Sequence, residues 1–280
     1  MHGLCRGEGC DADSLELPGR QWDLLDALLE TGTPVVVTLI TGRPYVLHDA
    51  PERAAAIVQA FFPGEEGAGA IAGVLSGRVN PSGRLPVSIP ASGGSQPSTY
   101  LAAPLAARTT ASTVDPTPRF PFGHGLSYST FKWTTPTVTR DGEETSELPS
   151  DSYVTLTLEV ANTSDRDGVE VVQIYLHDPV ASVALPVVRL IAFESVFVPA
   201  RSRCRIGFDI SADLTSFTGA DLTRVVEPGA IELRLSTSSA AIAHAVPLTI
   251  TGPLRRVDHF RTLAASAVTE TASVNSSSHS

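Results

Sequence analysis

Glu8 stands between Gly7 and Gly9 in the stretch RGEGCDADSLELPG, residues 6 to 19. A carboxyl group there can give or take a proton, and the flanking glycines let the backbone turn tightly and approach a ligand closely. Spacing alone favours a solvated loop acid over a catalytic group. Asp11 and Asp13 are the nearby rivals, and both suit capping and turn formation ahead of a helix. Glu65 and Glu66 follow Pro63 and Gly64 at the start of an expected helix, where the helix dipole favours carboxylates. Asn80, Gly83 and Arg84 read as a turn leading into a strand. His124, between Gly123 and Gly125, reads as a turn histidine packed against a neighbour, with a ligand contact as the alternative. His48 and Asp49 have no serine or cysteine nucleophile with which to complete a triad, and Asp165 falls in a turn between strands. The sequence has no glycine-rich phosphate loop and no cluster of metal ligands, so neither a metal nor another cofactor is expected.

Elements of regular structure must position these groups, and the chain is long enough for two domains. It has 280 residues, of which 42% are apolar, and a net charge of −10. An acidic balance argues against nucleic acid and against an anionic membrane surface as partners. No apolar run reaches the about 18 residues a spanning helix needs, and no secretory leader pattern opens the sequence. Three cysteines, Cys5, Cys10 and Cys204, lack metal-like spacing and form no disulfide framework. These features lead to the expectation of a cytoplasmic protein.

Residues 1–133 read as one α/β domain, with alternating helix and strand over 18–90 and loop-like sequence over 91–130. Trp22, Leu25 and Leu29 form a helical stripe with Leu24 and Leu28 beside them. TPVVVTLI (33–40) and AAIVQAFF (55–62) are continuous apolar runs of the kind buried on both faces of a parallel sheet. EEGAGAIAGVLSG follows as a helix with Ala68, Ile71, Ala72 and Leu75 on one face, and GRLPVSIP as a short strand. The expected fold is α/β with a mostly parallel sheet. Residues 134–150 are polar and read as a linker. Over 151–252 the period changes to two: Val154, Leu156, Leu158 and Val160, then Val172, Ile174 and Leu176, then Cys204, Ile206, Phe208 and Ile210, then Ile231, Leu233 and Leu235. Each run has one apolar and one polar face, which predicts an all-β sandwich of immunoglobulin or fibronectin type. Residues 253–280, rich in Ser, Thr and Ala, read as a disordered tail.

Four stretches together resemble glycoside hydrolase family 3, the β-glucosidase and β-xylosidase family. GEGCDADSLELPGRQ is similar to its acid/base loop and the Leu-Pro-Gly-x-Gln start of the next helix. QAFFPGEEGAGAIAGVLSGRVNPSGRLPVS resembles its Pro-Gly-x-x-Gly turn and Asn-Pro-x-Gly-Arg-Leu-Pro block. FPFGHGLSYSTF resembles the segment leaving its second domain. NTSDRDGVEVVQIYLHDP and EPGAIEL resemble its fibronectin type III-like third domain. The matches run in the family's own order over about residues 5 to 250.

The resemblance implies an incomplete α/β sandwich domain followed by a fibronectin type III-like sandwich. The missing N-terminal barrel would carry the aspartate nucleophile. It also implies a retaining glycosidase acting on an oligosaccharide or glycoside with terminal β-linked glucose or xylose. Such an enzyme sets two carboxyl groups about 5–5.5 Å apart across the sugar, and Glu8 matches the general acid/base. Ala12 stands where many family members have an arginine, so any ion pair made by that arginine is absent. The alternative reading is a non-catalytic fibronectin-like binding or assembly module, and on either reading the chain alone is expected to be inactive.

Overall fold

The computed structural model describes residues 12–95 and 99–272. Glu8, Asp11, Cys5 and Cys10 lie outside the described residues. The chain forms two compact units. One holds the described residues up to Val79, those between Pro86 and Thr99, and Ala106–Pro121. The other holds Asn80–Leu85, Tyr100–Leu105 and the described residues from Phe122 onward.

The first unit begins with α1 (Gln21–Leu29), β1 (Val36–Leu39), α2 (Ala50–Arg53), β2 (Ala56–Gln59) and α3 (Gly67–Leu75). β1 and β2 pair in parallel, Val36 opposite Ala56 through Leu39 opposite Gln59. Parallel neighbours need a crossover, and the chain supplies it through the 40–49 loop and α2. That crossover carries three of the well-buried side chains of the unit, Val46, Leu47 and Ala50. Arg53 reaches from α2 to Asp26 on α1 at 2.5 Å, and Arg119 pairs with Glu52.

The mostly parallel sheet expected for this region is not what forms. The parallel ladder here has two strands, and the sheets of the chain are mainly antiparallel. GRLPVSIP makes a single antiparallel bridge, between Ile89 and Phe120. Pro86 and Pro90 have no N–H to donate, which prevents a continuous ladder there. The apolar runs are also not buried on both faces. Val36 and Ile40 are 48% and 57% exposed, and Leu24, Leu28, Phe62 and Leu75 are exposed as well. On α3 the buried positions are Gly67 and Gly73 rather than the expected Ala68, Ala72 and Leu75.

The second unit is a sandwich. Its strands are β3 (Phe131–Trp133), β4 (Thr137–Arg140), β5 (Glu143–Glu144), β6 (Glu147–Pro149), β7 (Tyr153–Asn162), β8 (Gly168–His177), β9 (Arg189–Val198), β10 (Arg203–Ser211), β11 (Phe217–Thr218), β12 (Arg224–Val226), β13 (Gly229–Ser238), β14 (Ala241–Thr251), β15 (Arg255–Arg256) and β16 (Ser266–Ala272). One sheet runs β16-β10-β7-β4-β5, with β3 also on β7. The other runs β6-β14-β13-β8-β9, and β11-β12-β15 form a small third sheet. The period-two residues point inward as expected. Val154, Leu156, Leu158 and Val160 of β7 and Cys204, Ile206, Phe208 and Ile210 of β10 share one core with Val172, Ile174 and Leu176 of β8 and Ile231, Leu233 and Leu235 of β13. Each fully buried side chain of this size contributes about 1.5–3 kcal/mol relative to exposure, so this layer supplies most of the unit's cohesion.

Two boundaries differ from the sequence reading. The expected linker, 134–150, contains β4, β5 and β6. The expected disordered tail contains β15 and β16, and β16 pairs with β10 over seven residues, Ser266 opposite Asp209 through Ala272 opposite Arg203. An edge strand is held by main-chain hydrogen bonds and buries few side chains, so a composition argument based on apolar content does not detect it.

Candidate functional site

The described residues that follow Glu8 in the sequence form a tethered limb. Leu15 O accepts a hydrogen bond from Val46 N at 2.9 Å, and Leu17 is buried. Beside them His48 Nε2 lies 2.6 Å from Glu16 Oε2, and the His48 ring packs on Trp22 with centroids 4.9 Å apart. His48 thus partners Glu16 and an aromatic ring on α1. Glu16 and His48 are both about half exposed, so the pair itself contributes little, about 0–1 kcal/mol. Its role is directional: it fixes residues 15–17 against the crossover. Asp13 is exposed, and Ser14 Oγ accepts from Glu16 N at 3.0 Å, a local turn.

Glu65 and Glu66 open α3 and are exposed, and Glu66 makes no side-chain cap. They suit the positive end of the helix and bring no second carboxyl to a site.

The NPSGRL and FGHGLSYS motifs meet each other and strand β8. Asn80 Nδ2 donates to Ser129 Oγ and to Asp167 O, both at 2.8 Å, while Oδ1 accepts from Ser127 Oγ and Tyr128 N. Leu85 exchanges main-chain bonds with His124 and Gly123. Arg84 Nη2 lies 3.1 Å from Glu170 Oε2, with the two side chains only 11% and 6% exposed. Burial pushes the Glu170 carboxyl up, opposed by Arg84, a main-chain bond and the Trp133 indole. Burial likewise lowers Arg84, yet a guanidinium stays charged in proteins, so we take the pair as ionic. Burial and the Arg84 charge both hold His124 below its ordinary value. A partly buried imidazole beside a guanidinium is a neutral packing group, in line with the turn histidine read from the sequence.

Two glycines permit this packing. Gly123 has φ +80°, and a Cβ there would lie 2.1 Å from Gln173 Oε1; at Gly125 a Cβ would lie 2.3 Å from Gly83 O. Gln173 donates to Gly123 O and Thr237 O and accepts from the Tyr175 hydroxyl at 2.7 Å. Tyr100 stacks on Phe122 at 4.1 Å and meets Tyr175 edge-on. Asn80, Arg84 and His124 therefore belong to one structural network, which agrees with their sequence readings as turn residues.

Glu170, Gln173 and Tyr175 were not singled out from the sequence. Glu170 is in phase with the inward Val172, Ile174 and Leu176, which marks a buried carboxylate in need of a cation. Gln173 and Tyr175 lie in the opposite phase and are buried too, so β8 is covered on both sides.

Comparison with known proteins gives this arrangement a family. Residues 1–128 match the glycosyl hydrolase family 3 C-terminal domain, and residues 170–239 match a fibronectin type III-like domain. The chain belongs to glycoside hydrolase family 3. It is 36% identical over 243 residues to a beta-xylosidase of Formosa agariphila, covering 86% of this chain and 33% of that protein. It is 35% identical to a periplasmic beta-glucosidase of Salmonella typhimurium, covering 84% and 31%. The crystal structure of a beta-glucosidase from Listeria innocua in complex with glucose superposes with a TM-score of 0.81 at 31% identity, covering 88% of this chain and 35% of that one. The chain thus spans about a third of the length of these relatives.

Proposed function

We propose that this chain is the C-terminal part of a retaining β-glycosidase that removes terminal β-linked glucose or xylose. In this reading Glu8 is the general acid/base, and the nucleophile lies on a barrel domain outside the chain. The observation that carries the reading is that two family-characteristic domains occur in order within one chain whose fold matches a β-glucosidase at a TM-score of 0.81 over 88% of its length. The tethering of residues 15–17 supports it further, because a proton-transfer group must be held in position by rigid neighbours.

The chemistry is a two-step displacement. Glu8 protonates the leaving oxygen while the external carboxylate attacks the anomeric carbon, and Glu8 then deprotonates the water that releases the sugar. The test is Glu8→Ala in an enzyme restored by joining this chain to a matching barrel. Glycosylation by an aryl glycoside with a good leaving group should be nearly spared. An alkyl glycoside should lose about 10²-fold or more, and azide should rescue turnover. Equal slowing on both substrates with no azide effect would assign Glu8 to structure alone.

A further inference from the structure

The described residues hold a cleft of about 410 Å³ at one end of the sandwich, lined from the start of β7, the end of β10 and the segment after β14. Its size falls in the range of small-molecule sites. Tyr153, the first residue of β7, lines it and is 55% exposed, so part of its aromatic surface is open to a ligand. Asp209 and Asp213 line it as well, and both are pre-oriented. Asp209 accepts from Thr155 Oγ1 at 2.8 Å and from Ser266 Oγ at 3.2 Å. Asp213 accepts from Thr262 N at 2.8 Å and pairs with Arg255, which also donates to Ser150 O.

We propose that this cleft binds a neutral oligosaccharide unit. The negative face of an aromatic ring attracts the weakly positive C–H face of a pyranose and shields it from water. Fixed carboxylates accept from sugar hydroxyls, and the hydroxyls of Ser211 and Ser266 donate to or accept from them. Other ligand classes fit less well. An anion would face Asp151, Asp209 and Asp213 against the single cation Arg255. A metal ion would need a group of at least three suitable ligands, and none occurs among the described residues. A ligand that is uncharged, polyhydroxylated and flat on one side matches what remains. The inference also gives a role to the ordered C-terminal segment: Arg255, Thr262 and Ser266 reach the cleft because β16 anchors that segment to β10. It stands independently of the role assigned to Glu8.

The test is calorimetric titration of the 280-residue chain with cellotetraose and with xylotetraose. At least one should bind saturably in the millimolar range or tighter. Tyr153→Ala should weaken binding by about tenfold or more, Tyr153→Phe should retain it, and Asp209→Asn should weaken it severalfold. Glu8→Ala should leave it unchanged. Tyr153 is largely exposed, so equal melting temperatures should accompany these differences. The proposal is overturned if neither sugar saturates. It is equally overturned if Tyr153→Ala and Asp209→Asn bind like the parent chain, or if calcium chloride alone saturates the cleft and the sugars do not.

Discussion

Arg84 and Glu170 lie 86 positions apart in the chain and 3.1 Å apart in the fold. Arg84 Nε is buried with no hydrogen-bond partner among the described residues, so the pair is enclosed without being fully satisfied. Removing one member leaves an uncompensated buried charge, which costs about 3–5 kcal/mol, whereas replacing both with apolar side chains of similar size is often neutral. Arg84→Met should therefore lower stability by about that amount in urea denaturation, and Arg84→Met with Glu170→Met should recover most of the loss. A double variant as unstable as the single one would mean that the pair organises more than its own charges. Arg84 was legible as a turn residue beside Asn80 and Gly83. Its partner was not, because nothing local in the sequence specifies a contact across 86 residues. Only the phase of Glu170 within an inward-facing run pointed to a buried carboxylate.

The strands β7, β10 and β13 were legible because each buries mainly one face, and period two is the direct imprint of that burial; β8 shows the same period in Val172, Ile174 and Leu176 although both its faces are covered. β3, β4, β5 and β6 were not legible, since each has at most four residues, too few to display a period. The apolar runs behind β1 and β2 were correctly read as parallel strands. The expected burial on both faces of a mostly parallel sheet did not follow, because such a run reports hydrophobicity and not the number of neighbours. β16 escaped notice for the opposite reason, since main-chain pairing with β10 leaves no apolar signature. Its contribution can be measured. A chain ending at Leu263 should expose the edge of β10 along the seven paired positions, and an open edge recruits other strands. The shortened chain should melt several degrees lower and self-associate in light scattering. An unchanged melting temperature in a monomeric product would show that β16 is dispensable to the sheet.

At the scale of the molecule, the two compact units interleave along the chain: Asn80–Leu85 and Tyr100–Leu105 belong with the sandwich, although both lie within the expected α/β domain. A single cut near residue 134 therefore does not separate them, and the motifs that made the family recognisable are largely the ones that pack segments onto β8. What was legible of the candidate site was its sequence context, the glycine-flanked Glu8 and the helix that follows. The anchoring of that limb through Leu15, Glu16 and His48 required the fold. The central claim is that this chain supplies one half of a catalytic pair and depends on another domain for the rest. It is tested most directly by hydrolysis of a nitrophenyl β-glucoside or β-xyloside, with and without a joined family 3 barrel. The chain alone should hydrolyse neither substrate above the buffer rate, because acid catalysis contributes only about 10²–10⁴-fold and the proposal places the nucleophile on the barrel. The joined protein should turn over at least one of them. Turnover by the 280-residue chain alone would contradict the claim, as would a correctly folded joined protein that cleaves neither substrate.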